Sequence, residues 1–144
     1  MSNTTAVNIV DQMFDNDLFS QWLGIERLVV EQGKSVLRIK IREEMVNGFG
    51  IVHGGVTYSL ADSALAFASN AHGKLSVALE CSISYSVSVK VNDVITASAE
   101  EFALTNKTGV YLITLTNQHN EKVAFFKGTV YRTSKEWLKE NLLL

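Results

Sequence analysis

The stretch His53-Gly-Gly-Val-Thr-Tyr-Ser-Leu-Ala-Asp-Ser-Ala-Leu-Ala-Phe-Ala-Ser-Asn-Ala71 decides the fold of this chain. Its leucine, alanine and phenylalanine side chains spread over most of the circumference of an α-helix. A helix that is apolar nearly all round is buried inside a protein. We therefore predict a long buried helix over residues 56–71, ended by Gly73.

The segment after this helix predicts a sheet. Apolar and polar residues alternate from residue 76 to residue 91, and a period of two predicts a long strand with one solvent face. Further strands are predicted over residues 94–104, 110–116 and 122–132, with turns at 106–109 and 117–120. Short turns between successive strands predict an antiparallel meander. The buried helix would cover its apolar face, which makes an α+β layer pair.

The two ends of the chain predict shorter elements. Residues 6–22 have a helical pattern, which Asp15-Asn16-Asp17 should break into two short helices, and Gly24 should end the second one. Strands are predicted over residues 25–30 and 35–41 with a turn at Gln32-Gly33. A last helix is predicted over residues 134–142, with Ser134 as its N-cap.

Composition limits the possible functions. The 144 residues are 47% hydrophobic and 19% charged, with a net charge of -2, which predicts one globular domain over residues 1–144. No basic run offers a surface for a nucleic acid. The first residues lack a signal-peptide pattern, and no apolar stretch is long enough to span a membrane. Because Cys81 is the only cysteine, a reducing cytoplasm is the expected location.

Asp62 is the first residue that suggests chemistry. It is the only formally charged residue between Glu44 and Lys74. Burying a carboxylate without a partner costs several kcal/mol as a rough scale, so its presence in this helix needs a reason. One reason is catalysis. The other is an exposed stripe in which Asp62 faces solvent together with Ser59, Ser69 and Asn70.

The glycine pair before the helix suggests a binding site for a carbonyl oxygen. First-turn N–H groups have no partner within a helix, and the helix dipole places about +0.5 charge there. Gly54 and Gly55 would let a substrate approach these amides closely. The alternative is that the glycines only form the turn into the helix. Asn47 and His53 lie nearby, and each could be a structural group instead of a catalytic one.

Several motifs together resemble one family. Residues 47–55 are Asn-Gly-Phe-Gly-Ile-Val-His-Gly-Gly, and residues 60–64 are Leu-Ala-Asp-Ser-Ala. Downstream, residues 108–111 are Thr-Gly-Val-Tyr and residues 123–128 are Val-Ala-Phe-Phe-Lys-Gly. Over about residues 17–132, the chain resembles the phenylacetate-degradation branch of the hotdog-fold acyl-CoA thioesterases.

The resemblance implies a fold, a reaction and an assembly. The fold is an antiparallel sheet wrapped around one long central helix, with short N-terminal helices and a C-terminal helix. The reaction is hydrolysis of an acyl-CoA, with aryl-acetyl-CoA such as phenylacetyl- or hydroxyphenylacetyl-CoA first and medium-chain acyl-CoA as the alternative. The assembly is a homodimer, often a dimer of dimers, in which the strand at 76–89 pairs with its symmetry mate. No metal and no cofactor beyond the substrate's own coenzyme A are expected.

The resemblance also assigns catalytic roles. The Gly54 N–H of one subunit polarises the thioester carbonyl, and Asp62 of the neighbouring subunit acts as general base or as nucleophile. Asn47 holds the carbonyl or the water. His53 and Gly55 support the site.

Substrate-binding candidates are divided between the coenzyme A arm and the acyl group. Lys107 and Thr108 lie in a turn that is close to the coenzyme A arm in related enzymes. Two further lysines could bind the same phosphates: Lys90 and Lys122. Phe49 and Tyr58 could line an acyl pocket, and packing in the core is the alternative for both.

The chain also departs from the family pattern. Ser86-Val87-Ser88 and Asn92-Asp93 replace a proline and a Gly-Asp step, and Ala78 stands where some relatives have a serine. These departures concern the specificity for the acyl group. Two other functions also stay open: a dehydratase or hydratase using His53 with Asp62, and an acyl-CoA binding protein without turnover. A Gly-x-Ser-x-Gly elbow, a dinucleotide-binding glycine motif and a zinc-ligand spacing are all missing from the sequence.

Overall fold

A computed structural model describes residues 3–139 of the chain. Two short helices and two strands precede the central helix, and four strands follow it. The elements are α1 (Asn3–Asp15), α2 (Leu18–Leu23), β1 (Glu26–Glu31), β2 (Lys34–Lys40), a single 3-10 turn (Glu43–Met45), α3 (Gly54–Asn70), β3 (Lys74–Tyr85), β4 (Val94–Leu104), β5 (Thr108–Thr116) and β6 (Lys122–Glu136).

The six strands form one antiparallel sheet in the order β1-β2-β4-β5-β6-β3. The predicted meander of four successive strands is therefore wrong at its first member. Of these four strands, β4, β5 and β6 lie side by side in chain order, whereas β3 pairs with β6 at the sheet edge. The loop at residues 86–93 makes this possible, since it leads the chain from the edge back to the middle of the sheet, where β4 pairs with β2.

The central helix α3 contacts all six strands, so the sheet wraps around it as predicted. At β6, Gly128 lies under the Leu65 side chain and leaves no room for a β-carbon. The helix begins two residues before the predicted start, because His53 caps it and Gly54 and Gly55 form its first turn. The helix is also more buried than a solvent stripe allows, since Ser69 and Asn70 lie in the core.

The N-terminal helices break where the sequence predicts. Asp17 caps α2 by accepting the Ser20 N–H at 3.0 Å. Gly24 ends α2 in the left-handed conformation, with φ of 79°, which a residue without a side chain adopts at little cost. Among the helices of residues 3–139, none has both the length and the apolar character needed to cross a membrane.

Two elements end or begin in the structure at other residues than the sequence predicts. The strand predicted to reach residue 91 stops at Tyr85, because the N–H groups of Ser86 and Val87 both turn to the Val123 carbonyl. The helix predicted over residues 134–142 is wrong at its start, where residues 134–136 continue β6 and residues 137–139 form a turn. Residues 140–142 of that prediction lie outside the described residues. Pairing with β3 overrides the local helical preference, since Lys74 lies opposite Glu136.

Candidate active site

The start of α3 leaves one backbone amide free. The Gly55 N–H donates a 2.9 Å hydrogen bond to Nδ1 of the His53 side chain, so this amide is not available to a ligand. For the Gly54 N–H, the described residues provide no acceptor. This amide sits at the positive end of the helix dipole, where an oxygen that gains negative charge is stabilised. Of the two predicted glycines, Gly54 is therefore the one that can bind a carbonyl oxygen.

The peptide group between Gly54 and Gly55 is held at both ends. His53 accepts its N–H, and the Tyr85 hydroxyl donates to its carbonyl oxygen at 2.8 Å. The Thr57 hydroxyl donates to the same oxygen at 3.0 Å. A side chain on Gly54 would meet the Tyr85 ring, so the glycine makes room for this contact. The free Gly54 N–H therefore projects from a fixed first turn.

The loop before α3 is ordered by Asn47. Its Oδ1 accepts the Phe49 N–H at 2.9 Å, and its backbone N–H donates to the Ile51 carbonyl at 2.8 Å. The Nδ2 group has no acceptor within residues 3–139, so it can still donate to a substrate. Phe49 stands at the tip of this loop with 89% of its surface exposed.

Asp62 lies on the outward side of α3, exposed at the surface of a single chain. No hydrogen-bond donor among the described residues reaches its carboxylate. Surrounding protein atoms raise the pKa of Asp62 by desolvation first, and the negative charge of Asp17 raises it further. A carboxylate without a cationic partner and with a raised pKa is a stronger base than an ordinary aspartate.

Apart from Asp17, the side chains that interact with Asp62 are the uncharged Tyr58 and Cys81. Tyr58, one helical turn earlier, packs edge-on against Phe126 with ring centroids 5.2 Å apart. Burial raises the pKa of the Tyr58 phenol, and burial followed by the charge of Asp62 raises the pKa of the Cys81 thiol. Both groups therefore keep their protons, and Asp62 is the ionised group of this cluster.

Gly54 and Asp62 of one chain cannot act on the same atom. Eight residues separate them on α3, which is about 12 Å at 1.5 Å per residue. Reacting groups must approach within about 3–3.5 Å. In a single chain, the structure therefore does not bring the two predicted catalytic residues together.

The predicted coenzyme A residues Lys107 and Thr108 lie far from Gly54 in the same chain. Thr108 is opposite Tyr131, and Tyr131 is opposite Val77. Val77 is eight residues from Tyr85 along β3, or about 27 Å at 3.4 Å per residue. Lys107 is exposed, and its N–H donates to the Thr105 hydroxyl at 3.3 Å.

Two other cations near this turn were not predicted from the sequence. The Lys74 ammonium donates to Asn106 Oδ1 at 2.8 Å, and the Arg132 guanidinium donates to the Thr105 carbonyl at 2.7 Å. No local pattern marks them, because Arg132 reaches the turn through the pairing of β5 with β6, and Lys74 reaches it through the further pairing of β6 with β3. Lys90 and Lys122 are exposed at the other end of β3.

A cleft of about 220 Å³ opens beside the first turn of α3. Tyr85 and Thr57 form one part of its wall, and the loop after β3 forms the other. Within residues 3–139, no group of three or more acidic, histidine or cysteine side chains is placed to hold a metal ion.

Comparisons with known proteins identify relatives of this chain. The family model described as "Thioesterase superfamily" matches residues 49–124, which include Gly54 and Asp62. A putative esterase of Archaeoglobus fulgidus is 37% identical over 90% of this chain and 84% of its own length. The acyl-coenzyme A thioesterase PaaI of Escherichia coli is 36% identical over 83% of this chain and 86% of its own.

Solved structures show the same fold. The E. coli PaaI protein from the phenylacetic acid degradation operon superposes with a TM-score of 0.91 and 33% identity, covering 93% of this chain and 97% of that one. A hypothetical thioesterase of Streptococcus pneumoniae, solved with coenzyme A, gives a TM-score of 0.80 at 26% identity over 89% of this chain and 98% of that one. The predicted hotdog fold is confirmed.

Proposed function

Because the chain belongs to the thioesterase superfamily, we propose that it hydrolyses the thioester bond of an aryl-acetyl-CoA, giving the free acid and coenzyme A. The E. coli relative is an acyl-CoA thioesterase, and the E. coli protein of solved structure belongs to a phenylacetic acid degradation operon. The observation that carries the proposal is a pair of groups on α3 that have no hydrogen-bond partner within residues 3–139, the Gly54 amide and the Asp62 carboxylate. Medium-chain acyl-CoA is the second substrate class.

The active site is built from two subunits. Since Gly54 and Asp62 of one helix are about 12 Å apart, an intact site needs Gly54 from one copy and Asp62 from another. β3 supports this arrangement, because it is the edge strand of the sheet and exposes Val77 and Leu79. An unpaired apolar edge is covered when β3 pairs with its symmetry mate. A dimer of these dimers is the proposed larger assembly.

Antiparallel pairing of two β3 strands also supports the predicted coenzyme A contacts. It places the Lys74 end of one copy beside the Tyr85 end of the other. Lys107 and Thr108, at the Lys74 end, then approach the Gly54 end of the partner. There they can bind the phosphates of coenzyme A, together with Lys90 or Lys122.

In the first step, the carbonyl oxygen of the thioester accepts a hydrogen bond from the Gly54 N–H. This hydrogen bond stabilises the negative charge that develops on the oxygen. Asp62 of the other subunit then takes a proton from water as the water oxygen bonds to the carbonyl carbon. In the alternative route, its carboxylate attacks the carbon and forms a mixed anhydride that water later opens. In both routes the carbon–sulfur bond breaks and the thiolate leaves as coenzyme A after gaining a proton. Asn47 Nδ2 holds the carbonyl or the water.

His53 has a supporting role in this proposal. Its Nδ1 accepts the Gly55 N–H, so the neutral ring carries its proton on Nε2. The reaction needs no metal and no cofactor besides the coenzyme A of the substrate. The acyl-CoA substrate and the single thiol Cys81 also favour a cytoplasmic location.

A thiol-release assay tests the function. Wild type, Asp62→Asn and the control Asp15→Asn are compared on phenylacetyl-CoA, octanoyl-CoA and acetyl-CoA. Asp15 is an exposed carboxylate at the end of α1, so its variant should match wild type. We expect wild type to prefer phenylacetyl-CoA and Asp62→Asn to lose most turnover with its fold and oligomer intact.

Three results would contradict the proposal. Near wild-type turnover by Asp62→Asn removes Asp62 from the mechanism. With a 3-hydroxyacyl-CoA added to the panel, loss of water to give an enoyl-CoA without thiol release indicates a dehydratase or hydratase. Tight acyl-CoA binding without hydrolysis indicates a binding protein.

A further inference from the structure

A second cavity lies on the other side of Asp62 from the Gly54 turn. Its volume is about 270 Å³. Apolar side chains form most of its wall, and the polar ones are amides, a serine and Asp17. The wall includes Met13, Asp17, Ala66, Asn70, Val77 and Trp137.

The cavity begins one helical turn from Asp62. Ala66 follows Asp62 by four residues, so the two side chains share a face of α3 about 6 Å apart along the axis. Asn70 continues the same face by one more turn. An acyl group whose carbonyl carbon lies at the Asp62 carboxylate can therefore extend along this face into the cavity.

Trp137 forms the far wall, and its position is fixed. Its indole N–H donates to Asn70 Oδ1 at 2.8 Å, and its backbone N–H donates to the Gly73 carbonyl at 2.9 Å. Asn70 is itself 2% exposed, and its Oδ1 also accepts the Ser76 N–H at 2.8 Å. An indole held in this way presents a rigid aromatic surface, against which an aromatic ring packs favourably.

We propose that the cavity between α1, α3 and Trp137 receives the acyl group, and that Trp137 selects compact aromatic acyl groups over long or anionic ones. This inference rests on the proposed thioesterase function. The volume lies just below the usual range for ligand pockets of about 300–1,000 Å³, so the cavity suits a small acyl group better than a long one. Asp17 is the only charged residue of the described lining, which disfavours acyl groups that carry a carboxylate.

Filling the cavity tests the proposal. Ala66→Leu places a larger side chain in the cavity without changing Asp62, Gly54 or Asn47. We expect kcat/KM for phenylacetyl-CoA to fall by about 10-fold or more, as steric rejection in an apolar pocket allows. Turnover of acetyl-CoA, which does not reach the cavity, should stay within about 2-fold of wild type. Val29→Leu is the matched control, because it enlarges a side chain in a groove on β1, at the opposite edge of the sheet from β3.

A second experiment removes the aromatic wall of the cavity by substituting Trp137. Trp137→Ala should lower the ratio of phenylacetyl-CoA turnover to octanoyl-CoA turnover. Trp137→Phe keeps an aromatic surface, so it should lower this ratio less than Trp137→Ala does. Succinyl-CoA should be a poor substrate of every variant that keeps Asp17.

The possible failures are distinguishable. Equal loss of phenylacetyl-CoA and acetyl-CoA turnover in Ala66→Leu, or no loss at all, overturns the acyl-pocket assignment. An unchanged substrate ratio in Trp137→Ala overturns the selecting role of Trp137. Absence of thiol release from every acyl-CoA by wild type contradicts the proposed function itself.

Discussion

The Tyr85 hydroxyl donates a 2.8 Å hydrogen bond to the Gly54 carbonyl oxygen, which ties the end of β3 to the first turn of α3. The same peptide group gives its N–H to His53. The amide proposed to bind the thioester oxygen therefore belongs to a residue that is held from two sides. Fixed donors are worth more to a transition state than donors that must first be oriented.

Tyr85→Phe removes this bond and keeps the ring. A hydrogen bond contributes about 0.5–1.5 kcal/mol, so we expect kcat to fall by about 2- to 13-fold with little change in KM. Steady-state kinetics on phenylacetyl-CoA measure the effect. Tyr131→Phe is the control, since no partner of its hydroxyl lies within residues 3–139. A change in KM alone would argue that Tyr85 binds substrate and does not position Gly54.

Asp17→Asn should change the pH profile. Asp62 works as the carboxylate, so activity rises with pH through its pKa, which desolvation and Asp17 both raise. The neutral amide of the variant removes the second cause, and the acidic limb of kcat/KM should move to lower pH. An asparagine at this position still caps α2. Asp11→Asn is the control, and the acidic limb of its kcat/KM profile should stay at the wild-type pH. An acidic limb that also stays there in Asp17→Asn would exclude an electrostatic effect of Asp17 on Asp62.

Asp62→Asn should make the protein more stable at neutral pH. The folded state raises the pKa of Asp62, so its contribution to stability is present below the unfolded pKa of about 3.9 and is lost as pH rises through the folded pKa. Thermal melts at pH 7 should show a higher Tm for Asp62→Asn than for wild type. The difference should shrink towards pH 4. A lower Tm at pH 7 would mean that the ionised carboxylate has a stabilising partner.

Gly128→Ala should destabilise the core. A β-carbon at this position collides with the Leu65 side chain, and such overpacking costs about 1–3 kcal/mol. Denaturant unfolding measures the free energy change. Gly48→Ala is the control, because a β-carbon there meets nothing within 4 Å. In a Leu65→Ala background the cost of Gly128→Ala should shrink, and an unchanged cost would place the strain elsewhere.

The local elements could be predicted from the sequence because their signals are local. The apolar circumference of α3 and the break at Asp17 each depend on a few neighbouring residues. The pairing of β3 with β6 could not be predicted from local signals, since the two strands lie some fifty residues apart in the chain. The helix predicted at residue 134 failed for the same reason: long-range pairing overrode local propensity.

The same difference between local and long-range signals separates the site residues that could be predicted from those that could not. Asp62 could be found because it is an isolated charge in an apolar helix, and Gly54 because it lies where the helix begins. Tyr85 could not be found, because a tyrosine at a strand end looks like any packing residue until its hydroxyl is placed beside Gly54. Trp137 was assigned to the wrong element, so its contact with Asn70 was out of reach.

A subunit-mixing experiment tests most directly whether Asp62 of one subunit works with the Gly54 amide of the other. Gly54→Pro removes this amide at a helix position where proline is tolerated, and Asp62→Asn removes the carboxylate. The Tyr85 ring must turn aside for the proline β-carbon, so a native circular dichroism spectrum of Gly54→Pro is the control. Each variant alone should be inactive on phenylacetyl-CoA. When the two are refolded together, half of the dimers are mixed and each has one intact site, so about a quarter of wild-type activity should return. Mixed dimers verified by mass that remain inactive would contradict the account.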